Sequence, residues 1–324
     1  MDGLPPELLV LVPLAVAAGI DLYLTLLFLG AAPTTSWWSE PLPGALGDLD
    51  PPEVLIMVGT FYLLEFAAER YAPSALVWNA FHAVIRPVAG ALLALLLLDG
   101  EPLLLALAGA VVAGGIASFA HAVRSGGAIV RWLGSATAPH VLAVSMLEDA
   151  LVLGLAALSI DAPAVALGVS GLLLAGAAIG AASHARAFAF AVRLAVARVA
   201  QAVTQRRWLG PEELPLWVRE TLEGDVVAPG GALRGSPAGA HRLPGAPRFA
   251  TGWVVVRGGS PLFVYRRRKG SASVDLGPLT AEGVLETSFF RRVDLRTSNG
   301  APVCVFFGVN GPSEASLRAE FMYV

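Results

Sequence analysis

The chain has 324 residues, 56% of them hydrophobic and only 15% charged, with a mean hydropathy of +0.67 and a net charge of −3. Soluble proteins carry about 25% charged residues, so the composition excludes an ordinary soluble globule and predicts a membrane protein. The slightly acidic balance gives no reason to expect nucleic acid as a partner, and the single cysteine, Cys304, excludes an intrachain disulfide or a cysteine-built metal site.

Charge is unevenly placed. Residues 1–180 contain four arginines, at 70, 86, 124 and 131, whereas the remainder holds most of the basic residues, including the one lysine, Lys269. This predicts a membrane-embedded N-terminal part and a water-soluble C-terminal part. The richness in Ala, Gly and Pro points to a bacterial source, and the lone cysteine fits a reducing compartment for the C-terminal part.

The first apolar run continues to Leu29, and its leading residues carry Asp2 and Glu7 but no basic residue. It therefore reads as a retained span rather than a cleaved signal. A hydrocarbon core of ~30 Å takes about 20 apolar residues as helix. Six segments qualify: 9–30, 53–70, 79–98, 102–123, 140–159 and 163–183. Loops 31–52, 99–101 and 160–162 carry acids and no Lys or Arg. The alternate connections carry Arg70, then Arg124 and Arg131, then Arg186, Arg193, Arg198, Arg206 and Arg207. The positive-inside rule then places both termini in the cytoplasm, at the inner (plasma) membrane, and puts Trp37 and Trp38 outside in an aromatic belt or a short surface helix.

Residues 184–208 keep helical spacing, with arginines set in an Ala/Val/Phe background. They read as a basic helix at the inner leaflet, with a partner-binding helix as the alternative. In the stretch 209–250, PEELPLWVRETL predicts a short helix with Pro211 in its first turn and Glu212 and Glu213 favouring its N-terminus. The Gly/Pro-rich APGGALRGSPAGAHRLPGAP predicts a linker. Domain boundaries are therefore expected at 1–183, 184–250 and 251–324. In the last of these, five runs of β-branched and aromatic residues cut by turn residues predict a small cytoplasmic β-rich domain, a sandwich or partly open barrel, ending in the helix SEASLRAEF. Arg266–Lys269 reads as a solvated hairpin end, or as a contact for anionic lipid or an acidic partner.

Ionisable residues interrupt the apolar spans. Asp21 lies near the middle of the first span and shares a face with Thr25. Glu65 and Glu69 are four apart in the second, His82 and Arg86 four apart in the third, His121 and Arg124 three apart in the fourth, and Glu148 and Asp149 lie inside the fifth. A single central charge costs roughly 2.5–3.5 kcal/mol on insertion scales, so partners are required. Glu65 or Glu69 with Arg86, and Glu148 or Asp149 with Arg124 or Arg131, are the pairings that offset most of that cost. Pro87 biases Arg86 away from helix, so the third span is expected to start there, with 75–85 as a separate surface or re-entrant helix. Gly114–Gly115 and Gly126–Gly127 read as sites of close helix packing or a turn.

Two main readings of these groups stand. The ion pairs fix how the spans pack, or they line a polar cavity open to the cytoplasm that passes protons, ions or a small solute. A metal site from His82, His121, Glu65 and Glu148 would need four helices to converge and has no local ligand motif behind it. Walker, GxSxG and GxGxxG motifs are missing, so no enzyme, metal or cofactor is expected. The partners expected are membrane lipid, further copies of the chain, and a cytoplasmic protein bound through the β-rich domain.

Four strings resemble the DUF4126 family of bacterial membrane proteins over about residues 14–180. They are GIDLYLTLLFLG (19–30), the EF-x3-R from Glu65 to Arg70, the W-N-x2-H-x3-R-P from Trp78 to Pro87, and the S-x2-E-D from Ser145 to Asp149. The chain is a divergent relative. Asp21 stands for the family's Asn, Glu69–Arg70 for its Asp-Lys pair, Asn79 for its Asp, Arg124 for its Lys, and SATAPH (135–140) for an SPEP-like turn. The resemblance implies an integral membrane protein and supports the choice of polar positions, without supplying a reaction.

Overall fold

A computed structural model describes residues 5–35, 41–69, 72–133, 138–200, 207–223, 233–287 and 290–322. The chain divides into two compact units, Met1–Phe188 and Ala189–Val324. Trp37, Trp38, Arg70, residues 135–137 of the 135–140 turn, Arg206 and the 224–232 part of the expected linker lie outside the described residues, as do the side chains of Arg131, Arg193 and Arg198.

The first unit is helical: α1 (Glu7–Ile20), α2 (Leu22–Ala31), α3 (Pro52–Ala68), α4 (Ala72–Leu97), α5 (Leu103–Leu133), α6 (Ala138–Asp161) and α7 (Pro163–Ala200), the last running past the unit's end. Four stretches are long and apolar enough to cross a membrane: Val77–Leu97, Leu103–Ala128, Leu142–Asp161 and Pro163–Phe190. Leu104, Val111, Leu172 and Ile179 point outward and are exposed. Bare leucine, valine and isoleucine on the outside, with charged residues inside, is the arrangement a lipid solvent demands. The chain is thus a membrane-embedded protein.

Two expectations need correction. The segment 9–30 is not one helix but two, broken at Asp21, whose backbone is extended (φ −139°, ψ 104°). A short carboxylate competes with the helix for backbone N–H groups and favours a cap. Here the Asp21 side chain accepts from Leu24 N at 2.9 Å, and Thr25 Oγ1 donates back to the Asp21 carbonyl at 2.6 Å. Conversely, Pro87 does not begin a helix: α4 runs unbroken through it, with no separate 75–85 helix. Packing overrides the local bias. The Pro87 carbonyl lies so close to Gly114 that a Cβ there would approach it to 2.8 Å, and the Arg86 side chain is fully buried.

Small residues bring α1, α4 and α5 together. A Cβ on Gly19 would come within 2.7 Å of the Ala117 carbonyl, and one on Gly90 within 2.8 Å of Ala117 Cβ. Such close approach is how helices associate in a solvent as apolar as their side chains. Gly114 plays the packing role expected of it, whereas nothing approaches Gly115.

The second unit carries α8 (Leu216–Glu223), seven strands and α9 (Glu314–Phe321). The strands β1 (Arg234–His241), β2 (Ala250–Arg257), β3 (Ser260–Arg266), β4 (Ser271–Asp275), β5 (Thr280–Glu286), β6 (Phe290–Arg296) and β7 (Pro302–Gly308) form one antiparallel sheet in the order β4-β3-β2-β1-β7-β6-β5. All seven feed a single apolar cluster that includes Ala240, Val254, Phe263, Val293, Val305 and, from α9, Leu317 and Phe321, with Val274 and Val284 from the two outer strands packed against it. One antiparallel sheet takes the place of a sandwich. The β-branched and aromatic run at 284–297 spans parts of two strands, β5 and β6.

The central strand, β1, lies within the stretch read as linker. GSPAGA has poor strand propensity, but the site selects small residues: a Cβ on Gly235 would meet Leu214 Cδ2 at 2.8 Å. Gly235 exchanges both backbone bonds with Leu209, on the side away from β2. Alternation then turns the Pro237 nitrogen to that same side, just before the β7 ladder begins at Ala238. A proline without an N–H is tolerated there.

Candidate functional site

The helix break sets the site's geometry. Ending α1 at Ile20 leaves carbonyls without intrahelical donors. Arg86, from the middle of α4, supplies them: its Nη1 donates to Gly19 O at 2.5 Å and to Ile20 O, while its Nη2 pairs with Glu65 Oε1 on α3. One guanidinium therefore closes the end of α1 and neutralises a buried carboxylate, a task suited to its planar fork of donors.

Arg124, on α5, joins the next layer. It binds Glu69 through two parallel bonds of 2.6 and 2.9 Å, reaches Glu148 Oε2 on α6 at 2.9 Å, and touches Glu65 Oε1 at 3.3 Å. Beside it, Tyr62 donates to Asp149 Oδ2 at 3.1 Å. Exposure grades along the network: the Arg86 and Glu65 side chains are 0% and 3% exposed, whereas those of Glu69 and Glu148 are 21% and 20% exposed. At its buried end, Glu65 Oε2 and Arg86 Nε have no hydrogen-bond partner among the described residues.

The histidines belong to separate chains of bonds. His82 Nδ1 faces the Trp78 carbonyl at 2.8 Å and must carry the proton there, so Nε2 accepts from Tyr23 OH, also at 2.8 Å. The His82 ring stacks on Trp78 with centroids 4.5 Å apart. His121 Nε2 faces the Asn79 carbonyl at 3.0 Å, and Ser125 Oγ donates to Asn79 Oδ1 at 2.9 Å.

Of the residues singled out by sequence, Glu65, Glu69, Arg86, Arg124 and Glu148 thus form one ion network. Asp21 caps the helix break that Arg86 closes from the other side, and Asp149 is held beside them by Tyr62. The expected Glu65–Arg86 and Glu148–Arg124 pairs are present; Glu69 pairs with Arg124 instead of Arg86. His82 and His121 are buried but take no part in the ion pairs. Among the described residues no three His, Cys, Asp or Glu side chains converge as a metal centre. Sequence reasoning passed over Tyr62 and Ser125, although each lies on the face of a chosen residue, three before Glu65 and four after His121.

In the second unit, His241 stacks on Phe249 with centroids 4.3 Å apart. Burial and the nearby Arg242 and Arg248 push its pKa down to about 4. Cys304 Sγ donates to Asp294 Oδ1 at 3.4 Å. Burial and that carboxylate raise the thiol to about 11, the opposite of an activated nucleophile.

Residues 8–183 match the family model described as "Domain of unknown function (DUF4126)". No curated protein and no solved structure matches the chain.

Proposed function

This chain belongs to the DUF4126 family, and we propose that it is a six-span membrane conduit that passes protons or another small cation through the polar core of the bundle. The observation that carries the reading is a charge imbalance. Asp21, Glu65, Glu69 and Asp149 meet only two guanidiniums among the described residues, Arg86 and Arg124, at the level of a helix break. Uncompensated negative charge in a medium of low dielectric attracts cations, protons included. Interrupted helices at mid-membrane are where secondary transporters place their ion sites. The graded exposure from Glu69 and Glu148 down to Glu65 supports an approach from one side.

The six-span count takes α1 with α2 as one broken crossing and α3, with 17 residues, as a short one. The alternation of basic loops supports cytoplasmic termini. No catalytic step is part of this proposal.

A second reading, a membrane-anchored scaffold whose β-rich domain binds a partner, is favoured by one observation. The terminal nitrogens of both arginines are all engaged, as a purely structural lock requires. Purified protein in vesicles loaded with a pH-sensitive dye separates the two. The conduit reading expects proton flux under an imposed gradient, reduced at least tenfold in Glu65→Gln. Folded wild-type protein that passes neither protons nor alkali cations leaves the scaffold reading standing.

A further inference from the structure

The family match stops at residue 183, and the second unit has a surface that the polar core does not explain. Two loops leave the sheet at the same end: residues 242–249, between β1 and β2, and residues 267–270, between β3 and β4. They are tied together. Tyr265 OH donates to the Gly245 carbonyl at 2.5 Å, and Arg267 donates to the same phenol oxygen through Nε at 3.1 Å and Nη2 at 3.0 Å. This end of the sheet presents Arg242, Arg248, Arg266, Arg267, Arg268 and Lys269, all exposed.

No carboxylate among the described residues forms an ion pair with any of these six. Elsewhere in the same unit arginines are paired: Arg207 with Glu213, Arg234 with Glu320, Arg291 with Glu286, Arg296 with Glu282 and Arg318 with Glu314. Among the described residues these five paired arginines contrast with the six cations at this end. The first loop is also held in an uncommon backbone conformation, with Arg242 at φ 58° and Phe249 at φ 55°, left-handed values that non-glycine residues seldom adopt. Beside the second loop, the Arg266 guanidinium lies over the Trp217 ring at 5.0 Å, and the neighbouring Leu216 is 62% exposed.

We infer that this basic end of the β-rich domain docks on the anionic phospholipid headgroups of the membrane that holds the first unit. The ligand chemistry is phosphate. Cations spread over two loops, with an indole and a leucine beside them, suit an array of headgroups, where aromatic rings settle at the interface. The domain is covalently joined to membrane helices, so the lipid surface is a polyanion always within reach. The inference does not depend on the conduit reading.

The test uses the full chain in nanodiscs of phosphatidylcholine alone and of an equimolar mixture with phosphatidylglycerol. Amide hydrogen exchange is read at residues 242–249 and 266–270. Each cation near the surface is worth roughly fivefold in affinity, so exchange should slow about tenfold or more in the anionic discs. The slowing should reverse at high salt, vanish in R266Q/R267Q/R268Q/K269Q, weaken in R242Q/R248Q, and persist in R266K/R267K/R268K. Equal exchange of the wild type in the two discs overturns the inference without recourse to any variant. So does equal protection in phosphatidylcholine discs on addition of inorganic phosphate or RNA, which would assign the surface to a soluble anion.

Discussion

Replacing Arg86 by methionine is the most searching perturbation of the polar core. The change keeps an unbranched side chain of similar reach but removes the donors to Gly19 O, Ile20 O and Glu65 Oε1. What remains is a carboxylate only 3% exposed, with Arg124 Nη1 at 3.3 Å as its residual partner, and two carbonyls at a buried helix end. Breaking one side of a buried ion pair costs about 3–5 kcal/mol. The orphaned carbonyls add about 1 kcal/mol each, and the Arg124 contact returns part of the loss, so R86M is expected to destabilise the helical unit by about 4 kcal/mol. Glu65→Gln leaves the buried Arg86 charge without its carboxylate but keeps an oxygen that accepts from it, so it should cost somewhat less, about 3 kcal/mol. R86M/E65M removes both charges and leaves only the carbonyls, about 2 kcal/mol, so the double change should be milder than R86M alone. Arg86→Lys should not rescue, since one ammonium cannot serve a carboxylate and two carbonyls in the same plane. Steric trapping in bicelles gives these free energies in the membrane. An R86M loss below about 1 kcal/mol, or strict additivity in the double variant, would refute the idea that this guanidinium closes the helix break.

Three further outcomes follow from particular contacts. Gly19→Ala should cost about 1–3 kcal/mol of helical-unit stability by the same assay, because the new Cβ meets the Ala117 carbonyl at 2.7 Å; Gly115→Ala, with nothing near it, serves as the neutral control. Cys304 should react with iodoacetamide at pH 8 about a hundredfold more slowly than a free thiol, since its pKa is raised to about 11, and Asp294→Asn should speed it. His241 has a pKa near 4 in the fold against about 6.5 unfolded. The unfolded state therefore binds more protons between these values, and stability of the β-rich domain falls as pH drops from about 6.5 to 4, by about 2 kcal/mol. His241→Gln should flatten that limb in hydrogen exchange of the β1 amides, and an unchanged slope would contradict the assignment.

The parts of this architecture legible in the sequence were those written in composition and spacing. Charges embedded in apolar runs named Glu65, Arg86, Arg124 and Glu148, because hydrocarbon tolerates such groups only in company. The strands β2, β3, β4 and β7 were legible from β-branched runs between turn residues. The break at Asp21 was not, because the flanking residues are as apolar as any unbroken span and one aspartate does not reveal whether its carboxylate will cap. Strand β1 was hidden for the opposite reason. Gly235, Pro237 and Gly239 look like linker until the neighbours that need their smallness are known. At Pro87 the local rule was sound but weaker than the packing of its carbonyl against Gly114.

Arg124 and its carboxylates are where the two functional readings part. Glu69 and Glu148 have side chains about a fifth exposed, and each is one of several acceptors around Arg124. Glu69→Gln and Glu148→Gln keep an oxygen to accept the same bonds and lose only a partly screened charge. Each should cost about 1 kcal/mol or less, leaving the bundle folded. Arg124→Gln takes a cation from Glu65, Glu69 and Glu148 at once and should cost more than either, about 3–5 kcal/mol. If the network is only a lock, stability is the whole phenotype: Arg124→Gln is the damaging change, and the two glutamine variants match the wild type in every assay. If the network conducts, the ranking inverts in flux measurements. Glu69→Gln and Glu148→Gln then remain as stable as the wild type but lose proton conduction, because the charges that draw a cation toward Glu65 are gone. Full conduction in both variants would remove Glu69 and Glu148 from any path and leave the proposed approach to Glu65 without support.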